Sequence, residues 1–244
     1  MQLEGSVALV TGANRGLGRA FARALVDAGA AKVYAAARNP ESITDPGVIP
    51  VRLDVTDPAQ VAAAAQLASD ATIVVNNAGV GTVTSLLHED ALTAAREMLE
   101  VNYLGTLSVS NAFAPVLAAN GGGALVNMLS VLSFVSMPLH GPYNASKAAA
   151  WSATNALRVQ LRGQGTLVVG VHAGYLETEM AADAPGPKTA PEDIAAQLVA
   201  ALRADEEEVL GDQISRDVKG GLSRDLELLY PGIQEQWDAA TAAA

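Results

Sequence analysis

Short β-branched apolar runs alternate with longer Ala/Leu-rich stretches along the chain. The runs at 7–10, 32–36, 49–53, 72–76, 124–128, 167–171 and 208–210 have the length of strands, and their near-continuous apolar character predicts burial on both faces. Between them, apolar residues recur at helical spacing and predict helices near 17–29, 58–69, 89–98, 101–118, 143–163, 191–204 and 212–229. In the first of these, Leu17, Ala20, Phe21, Ala24 and Leu25 mark one face. Strands alternating with helices imply a parallel sheet covered on both sides. The handedness of such crossovers predicts a doubly wound, Rossmann-type α/β sheet of about seven strands. The sequence has no solenoid-period repeat and no long linker, so residues 1–244 are expected to form a single domain. The segment 184–191, rich in Pro and Gly, reads as a loop, and the Ala-rich tail after Trp237 as a frayed or short helical end.

The turn between the first strand and the first helix carries Gly12, Gly16 and Gly18. A helix N-terminus presents unpaired N–H groups and the positive end of a dipole, and so attracts phosphate. Glycine there lets the backbone approach a pyrophosphate. An ordinary glycine-rich turn has the same composition, so other features must decide. A dinucleotide site requires a further group at the end of the second strand, an acid for a ribose 2′-hydroxyl or an arginine for a 2′-phosphate. Ala37 is uncharged and Arg38 follows it, with Arg15 in the glycine turn as a second cation. Two cations and no acid favour the 2′-phosphate, and hence NADP(H), over a merely solvated arginine.

Further along, Tyr143 and Lys147 stand at i and i+4, on one face of a helix. An ammonium beside a tyrosine favours phenolate and is expected to lower the phenol pKa toward neutrality. Such a tyrosine exchanges a proton with an alkoxide. The pair alone is common on surface helices, and its weight comes from its company. Thr11, Gly12, Gly16 and Gly18 form T-G-x-x-x-G-x-G, Asp54 stands in "RLDVTD", and "NNAG" runs from Asn76 to Gly79. Asn102 stands in "VNYLGT", and Ser130 lies thirteen residues before Tyr143. In this order and spacing, residues 6–180 resemble the single-domain branch of the short-chain dehydrogenase/reductase family.

The resemblance implies an NADP(H)-dependent carbonyl reductase or alcohol dehydrogenase acting on a small apolar ketone, aldehyde or alcohol. Tyr143 would be the general acid or base and Lys147 its partner and a ligand of the nicotinamide ribose. Ser130 would hold the substrate oxygen, and Asn102 a proton-relay water. The cofactor would lie against Gly12, Asn14, Arg15, Gly16, Leu17, Gly18, Arg38, Asp54, Val55, Asn77, Ala78, Gly79, Tyr143, Lys147, Gly174, Leu176 and Thr178. By family position Phe134, Met137, His140, Tyr175 and Met180 would line the substrate pocket with Ser130 and Tyr143. The sequence departs from the family at Ala173, where proline is usual before Gly174, and at its C-terminus, where the usual glycine-rich ending of the last strand is missing. A redox-sensing NADP(H)-binding protein without turnover is the alternative, disfavoured by the intact Ser130, Tyr143 and Lys147. A methyltransferase, the third reading, is disfavoured by Arg38.

Composition narrows the partners. Half of the residues are apolar and the formal charge is −11, which disfavours nucleic acid and anionic membranes. There is no cysteine, which fits a reducing compartment, and no leader or membrane-length apolar run, so a cytoplasmic protein is expected. No metal is expected, because His140 and His172 lack partners at ligand spacing. In the helix near 143–163, Ala150, Ala153, Leu157 and Leu161 form one apolar stripe, and Ala145, Ala148, Ala149, Ala156 and Val159 form a second. One stripe suffices for a monomer. The second predicts a homodimer through the helices near 101–118 and 143–163, with a homotetramer as the larger alternative.

Overall fold

The computed structural model describes residues 1–241. The chain runs β1 (Val7–Thr11), α1 (Gly16–Asp27), β2 (Lys32–Ala37), β3 (Ile49–Arg52), α2 (Pro58–Leu67), β4 (Ile73–Asn76), α3 (Ala91–Leu99), α4 (Thr106–Ala119) and β5 (Ala124–Met128). It continues with α5 (Gly141–Gln160), β6 (Leu167–His172), α6 (Pro191–Ala204), β7 (Glu208–Leu210), α7 (Gln213–Gly221), α8 (Asp225–Leu228) and α9 (Tyr230–Thr241). Among the described residues the strands form one seven-stranded sheet in the order β3-β2-β1-β4-β5-β6-β7. Every pairing is parallel. The strand order reverses between β1 and β4, which opens a crevice at the carboxyl ends of those strands.

The alternation of side chains along each strand divides the core in two. Ala8 and Val10 of β1 join Ile73, Val75, Val126 and Val169 under Phe21 and Leu25 of α1 and Leu198 and Leu202 of α6. Leu9, Val74, Leu125 and Val168 face the other way, against Val61 of α2, Phe113 and Leu117 of α4, and Leu157 of α5. Both faces of the sheet are therefore covered, as its apolar strands require.

Two helices differ from the sequence expectation. The stretch near 101–118 begins inside a π-helical turn, Glu100–Gly105, that joins α3 to α4. Hydrophobic periodicity does not register one extra residue per turn. The stretch near 212–229 is interrupted by a 3-10 turn at Leu222–Arg224 and splits into α7 and α8. Gly220 and Gly221 lower helix propensity just before that turn. The tail continues as α9, and residues 242–244 lie outside the described part.

Candidate active site

The carboxyl ends of β1, β4, β5 and β6 carry the polar residues singled out in the sequence. At the end of β1, the Thr11 hydroxyl accepts from the N–H groups of Asn77 (2.9 Å) and Ala78 (3.0 Å). The Asn77 amide donates back to the Thr11 carbonyl at 3.0 Å. These bonds press the 77–79 segment against the glycine turn. Gly12 has φ +65°, and a Cβ there would stand 3.0 Å from the Ala78 Cα. A Cβ on Gly18 would stand 2.2 Å from the Gly12 carbonyl oxygen, so no side chain fits. Residue 15, the N-cap of α1, makes no side-chain cap. By contrast, Asp57 caps α2 at the Ala59 and Gln60 N–H groups. The α1 terminus thus keeps the shape and unpaired donors that accept a phosphate.

Arg38 is exposed just past β2. Its carbonyl accepts from Arg52 at 3.0 Å. Arg52, 3.7 Å from Glu41, ends β3 in register with Ala37 and brings a second cation to this corner. The sequence reading missed it, although parallel pairing of β2 with β3 and its position two residues before Asp54 could have found it. Arg15 is ion-paired with Glu179, from the loop after β6. Asp54 is turned toward Thr56, whose N–H and hydroxyl donate to its Oδ1 at 3.0 and 2.8 Å. Buried Val55 packs against Gly105, where a Cβ would come within 2.6 Å of it.

Ser130, Tyr143, Lys147 and Asn102 converge from the end of β5, α5 and the π-helical turn. Ser130 follows β5, its hydroxyl accepts from the Leu132 N–H at 3.1 Å, and it lies close enough to the Tyr143 phenol to oppose the upward shift of its pKa. Lys147 is 5% exposed and donates to the Met128 carbonyl at 2.9 Å. Its Nζ lies 5.8 Å from the centre of the Tyr143 ring. Asn102 Oδ1 accepts from the Val80 N–H (2.8 Å), while its Nδ2 donates to the Val80 carbonyl and the Ser146 hydroxyl (both 2.9 Å). Asn102 thereby ties the turn after β4 to the helix that carries Tyr143 and Lys147.

Electrostatics correct one expectation. Burial pushes the Tyr143 phenol up to about 12, against the opposing effect of Ser130. Burial also pushes Lys147 down to about 8. Desolvation penalises phenolate more than nearby Ser130 relieves it. The protein's own groups therefore hold Tyr143 as a proton donor rather than as phenolate.

Around this centre, a Cβ on Gly81 would stand 3.4 Å from the Tyr143 ring and 3.6 Å from Met180 Sδ, so both side chains flank Gly81. His140 Nε2 lies 3.4 Å from the Tyr175 hydroxyl. Phe134 is placed differently. It stacks on His172 at 4.0 Å and meets Trp151 edge-on at 4.9 Å, with Lys219 Nζ 4.7 Å above it. Gly174, Leu176 and Thr178 lead from β6 back across the glycine turn, where a Cβ on Gly16 would stand 3.3 Å from Thr178 Cγ2.

Among the described residues no group of three His, Asp or Glu could hold a metal ion, and no helix is long and apolar enough to cross a membrane. A cleft of about 430 Å³ lies at the amino ends of the strands, by Ser6, Thr72, Gly123 and Leu167. It contains none of the residues above, and ligands of such sheets bind at the carboxyl ends.

Residues 6–188 match the short chain dehydrogenase family. A short chain dehydrogenase from Burkholderia cenocepacia J2315, solved in complex with NADP, superposes with a TM-score of 0.91 at 41% identity, covering 96% of this chain and 99% of that one. A short chain dehydrogenase/reductase from Burkholderia phymatum, solved in complex with NAD, gives a TM-score of 0.80 at 28% identity over 93% and 96% of the two chains. Short chain dehydrogenase tazN of Aspergillus terreus (strain NIH 2624 / FGSC A1156) is 32% identical over 78% of this chain, which spans 45% of tazN.

Proposed function

This chain belongs to the short-chain dehydrogenase/reductase family, and from that premise we propose that it is an NADP(H)-dependent carbonyl reductase, equivalently an alcohol dehydrogenase. The observation that carries the reading is the meeting of Ser130, Tyr143 and Lys147 at the carboxyl end of the sheet, the same end that carries the glycine turn. When bound, the nicotinamide cofactor supplies the hydride.

Every other part falls to the chain. Gly12, Asn14, Gly16, Leu17 and Gly18 hold the pyrophosphate at the α1 terminus. Asp54, Val55, Asn77, Ala78 and Gly79 flank the adenosine half, and Gly174, Leu176 and Thr178 the nicotinamide. Arg15, Arg38 and Arg52 favour a 2′-phosphate, in keeping with the NADP found in the Burkholderia cenocepacia relative. Ser130 donates to the substrate oxygen and stabilises charge as it develops. Tyr143, its proton held firmly by burial, delivers that proton to the forming alkoxide. Lys147, still mostly charged at pH 7, offsets the phenolate left behind and reaches the nicotinamide ribose. Asn102 holds the relay that restores the proton.

Met180, Tyr175, His140 and half-buried Met137 give the substrate a largely apolar surround, which suits a small ketone or aldehyde. Residues 1–244 act as a single oxidoreductase domain, a cytoplasmic one on this reading. It assembles as a homodimer through α4 and α5, where Ala145, Ala148, Ala156 and Val159 are exposed on one chain and Val159 keeps 74% of its surface. Fluorescence titration with NADPH and NADH, followed by NADPH absorbance over a panel of ketones and aldehydes, tests the reading. Tighter NADPH binding with turnover of apolar carbonyls is expected. Absence of NADPH binding, or binding without any turnover, overturns it.

A further inference from the structure

Both departures from the family pattern, Ala173 and the C-terminal segment, meet at one place. The turn that leaves β6 is held at three successive residues. The His172 carbonyl accepts from the Gly211 N–H at 2.8 Å, and the Ala173 carbonyl from the Val131 N–H at 2.9 Å. The third hold is made by a side chain: the Gly174 N–H donates to Asp212 Oδ2 at 2.6 Å. The other oxygen of that carboxylate, Oδ1, accepts from the Ser215 N–H at 2.8 Å and caps α7. A Cβ on Gly174 would stand 3.2 Å from Asp212 Oδ2 and 2.9 Å from Ile214 Cγ2, so the start of α7 closes directly over the turn. Beyond Gly174 the chain crosses toward the glycine turn. The 175–178 stretch is pinned to Thr189, whose N–H donates to the Tyr175 carbonyl at 2.9 Å and whose carbonyl accepts from Glu177 at 3.0 Å.

A proline at residue 173 would fix φ and stiffen the turn by itself. Alanine leaves that dihedral free, so the restraint must come from outside. We propose that Asp212 is a positioning residue for the nicotinamide-facing segment. Its carboxylate, held in place by the α7 cap, clamps the Gly174 amide and supplies the restraint that proline would otherwise give. The bond is charge-assisted, which makes it stronger than a neutral one. The proposal rests on the reading of Gly174–Thr178 as the nicotinamide side of an NADP(H) site.

The test measures binding, with no turnover needed. NADPH and adenosine 2′,5′-bisphosphate, a probe that lacks the nicotinamide half, are titrated against wild type, Asp212→Ala, Asp212→Asn and Asp212→Ala with Ala173→Pro. Asp212→Ala is expected to weaken NADPH by roughly tenfold or more and to leave the bisphosphate probe within twofold. Adding Ala173→Pro is expected to restore most of the NADPH affinity. Asp212→Asn keeps a good N-cap but has one acceptor for two N–H groups, so it decides the matter if the alanine variant does not fold. It is expected to lose NADPH affinity with little change in melting temperature. Unchanged NADPH affinity in the variants overturns the proposal. So does equal weakening of both probes, which marks a general loss of structure, and so does failure of proline to restore binding. Wild-type protein that binds the bisphosphate probe but not NADPH, or neither, overturns instead the cofactor reading on which the proposal stands.

Discussion

His172 offers a quantitative test of the site's architecture that needs neither substrate nor cofactor. The ring is fully buried, stacked on Phe134, with Nδ1 3.1 Å from the Ser130 carbonyl. That contact requires Nδ1 to carry the proton. Nε2 is buried without a hydrogen-bond partner, 3.8 Å from Glu208 Oε1. Burial pushes the imidazole down to about 4, and the Ser130 carbonyl and Glu208 only partly oppose it. A histidine whose folded pKa lies below its unfolded value near 6.5 binds more protons when unfolded. Stability is therefore full above about pH 6.5 and is lost as pH falls toward 4. At pH 5 the unfolded imidazole is almost fully protonated and the folded one almost neutral. The difference of about 1.5 logarithmic units corresponds to roughly 2 kcal/mol. His172→Asn keeps an N–H for the Ser130 carbonyl and does not titrate. Urea unfolding at pH 7.5 and 5.0, at fixed protomer concentration, should show wild type losing about 2 kcal/mol more than the variant. Equal losses would mean that His172 is not held neutral, and the buried placement beside Ser130 would have to be abandoned.

Tyr143→Phe should lower turnover on the order of a hundredfold or more while fluorescence titration finds NADPH binding nearly intact; near-normal turnover removes the phenol from the reaction. Lys147→Met, by contrast, should depress both turnover and NADPH affinity, and an effect on turnover alone would deny it the ribose contact. Wild type should prefer NADPH over NADH by roughly tenfold or more. Ala37→Asp with Arg38→Ala should shift that preference toward NADH, and equal efficiency with both cofactors in wild type counts against the arginine corner. Light scattering at micromolar concentration should give a dimer mass that falls to the monomer in Ala149→Glu, and a monomeric wild type refutes the assembly.

The sheet was legible because buried parallel strands are apolar along their whole length, so 7–10 and 72–76 could hardly be read otherwise. The candidate site residues stand at strand ends and along helices, which local spacing reports well: helical period puts Tyr143 and Lys147 on one face, and the glycine turn, Asn102 and Ser130 give that pair its weight. What escaped the sequence depends on three dimensions. The pKa direction of Tyr143 follows from how deeply α5 is covered, and no spacing encodes that. Phe134 was placed by position after Ser130, but its ring turns to His172 and Trp151 because β6 and α5 offer an apolar slot there. Arg52 and Asp212 act through residues 14 and 38 positions away, at Arg38 and Gly174, and only the folded register brings them together.

The π-helical turn at Glu100–Gly105 also sets the phase between the two halves of one long helix. It sits inside one unbroken helical rod from Ala91 to Ala119. Asn102 points from it into the site, while Phe113 and Leu117 beyond it stay against the sheet. Wound as ordinary α-helix at about 100° per residue, the same six residues would turn the two halves by about 100° relative to each other, the rotation of the one residue that the wider turn absorbs. Either Asn102 would leave Val80 and Ser146, or Phe113 and Leu117 would leave the core. The exposed tip at Asp183–Pro187 carries no such phase relation, so insertions and deletions belong there and not in a helix that looks uniform from its sequence.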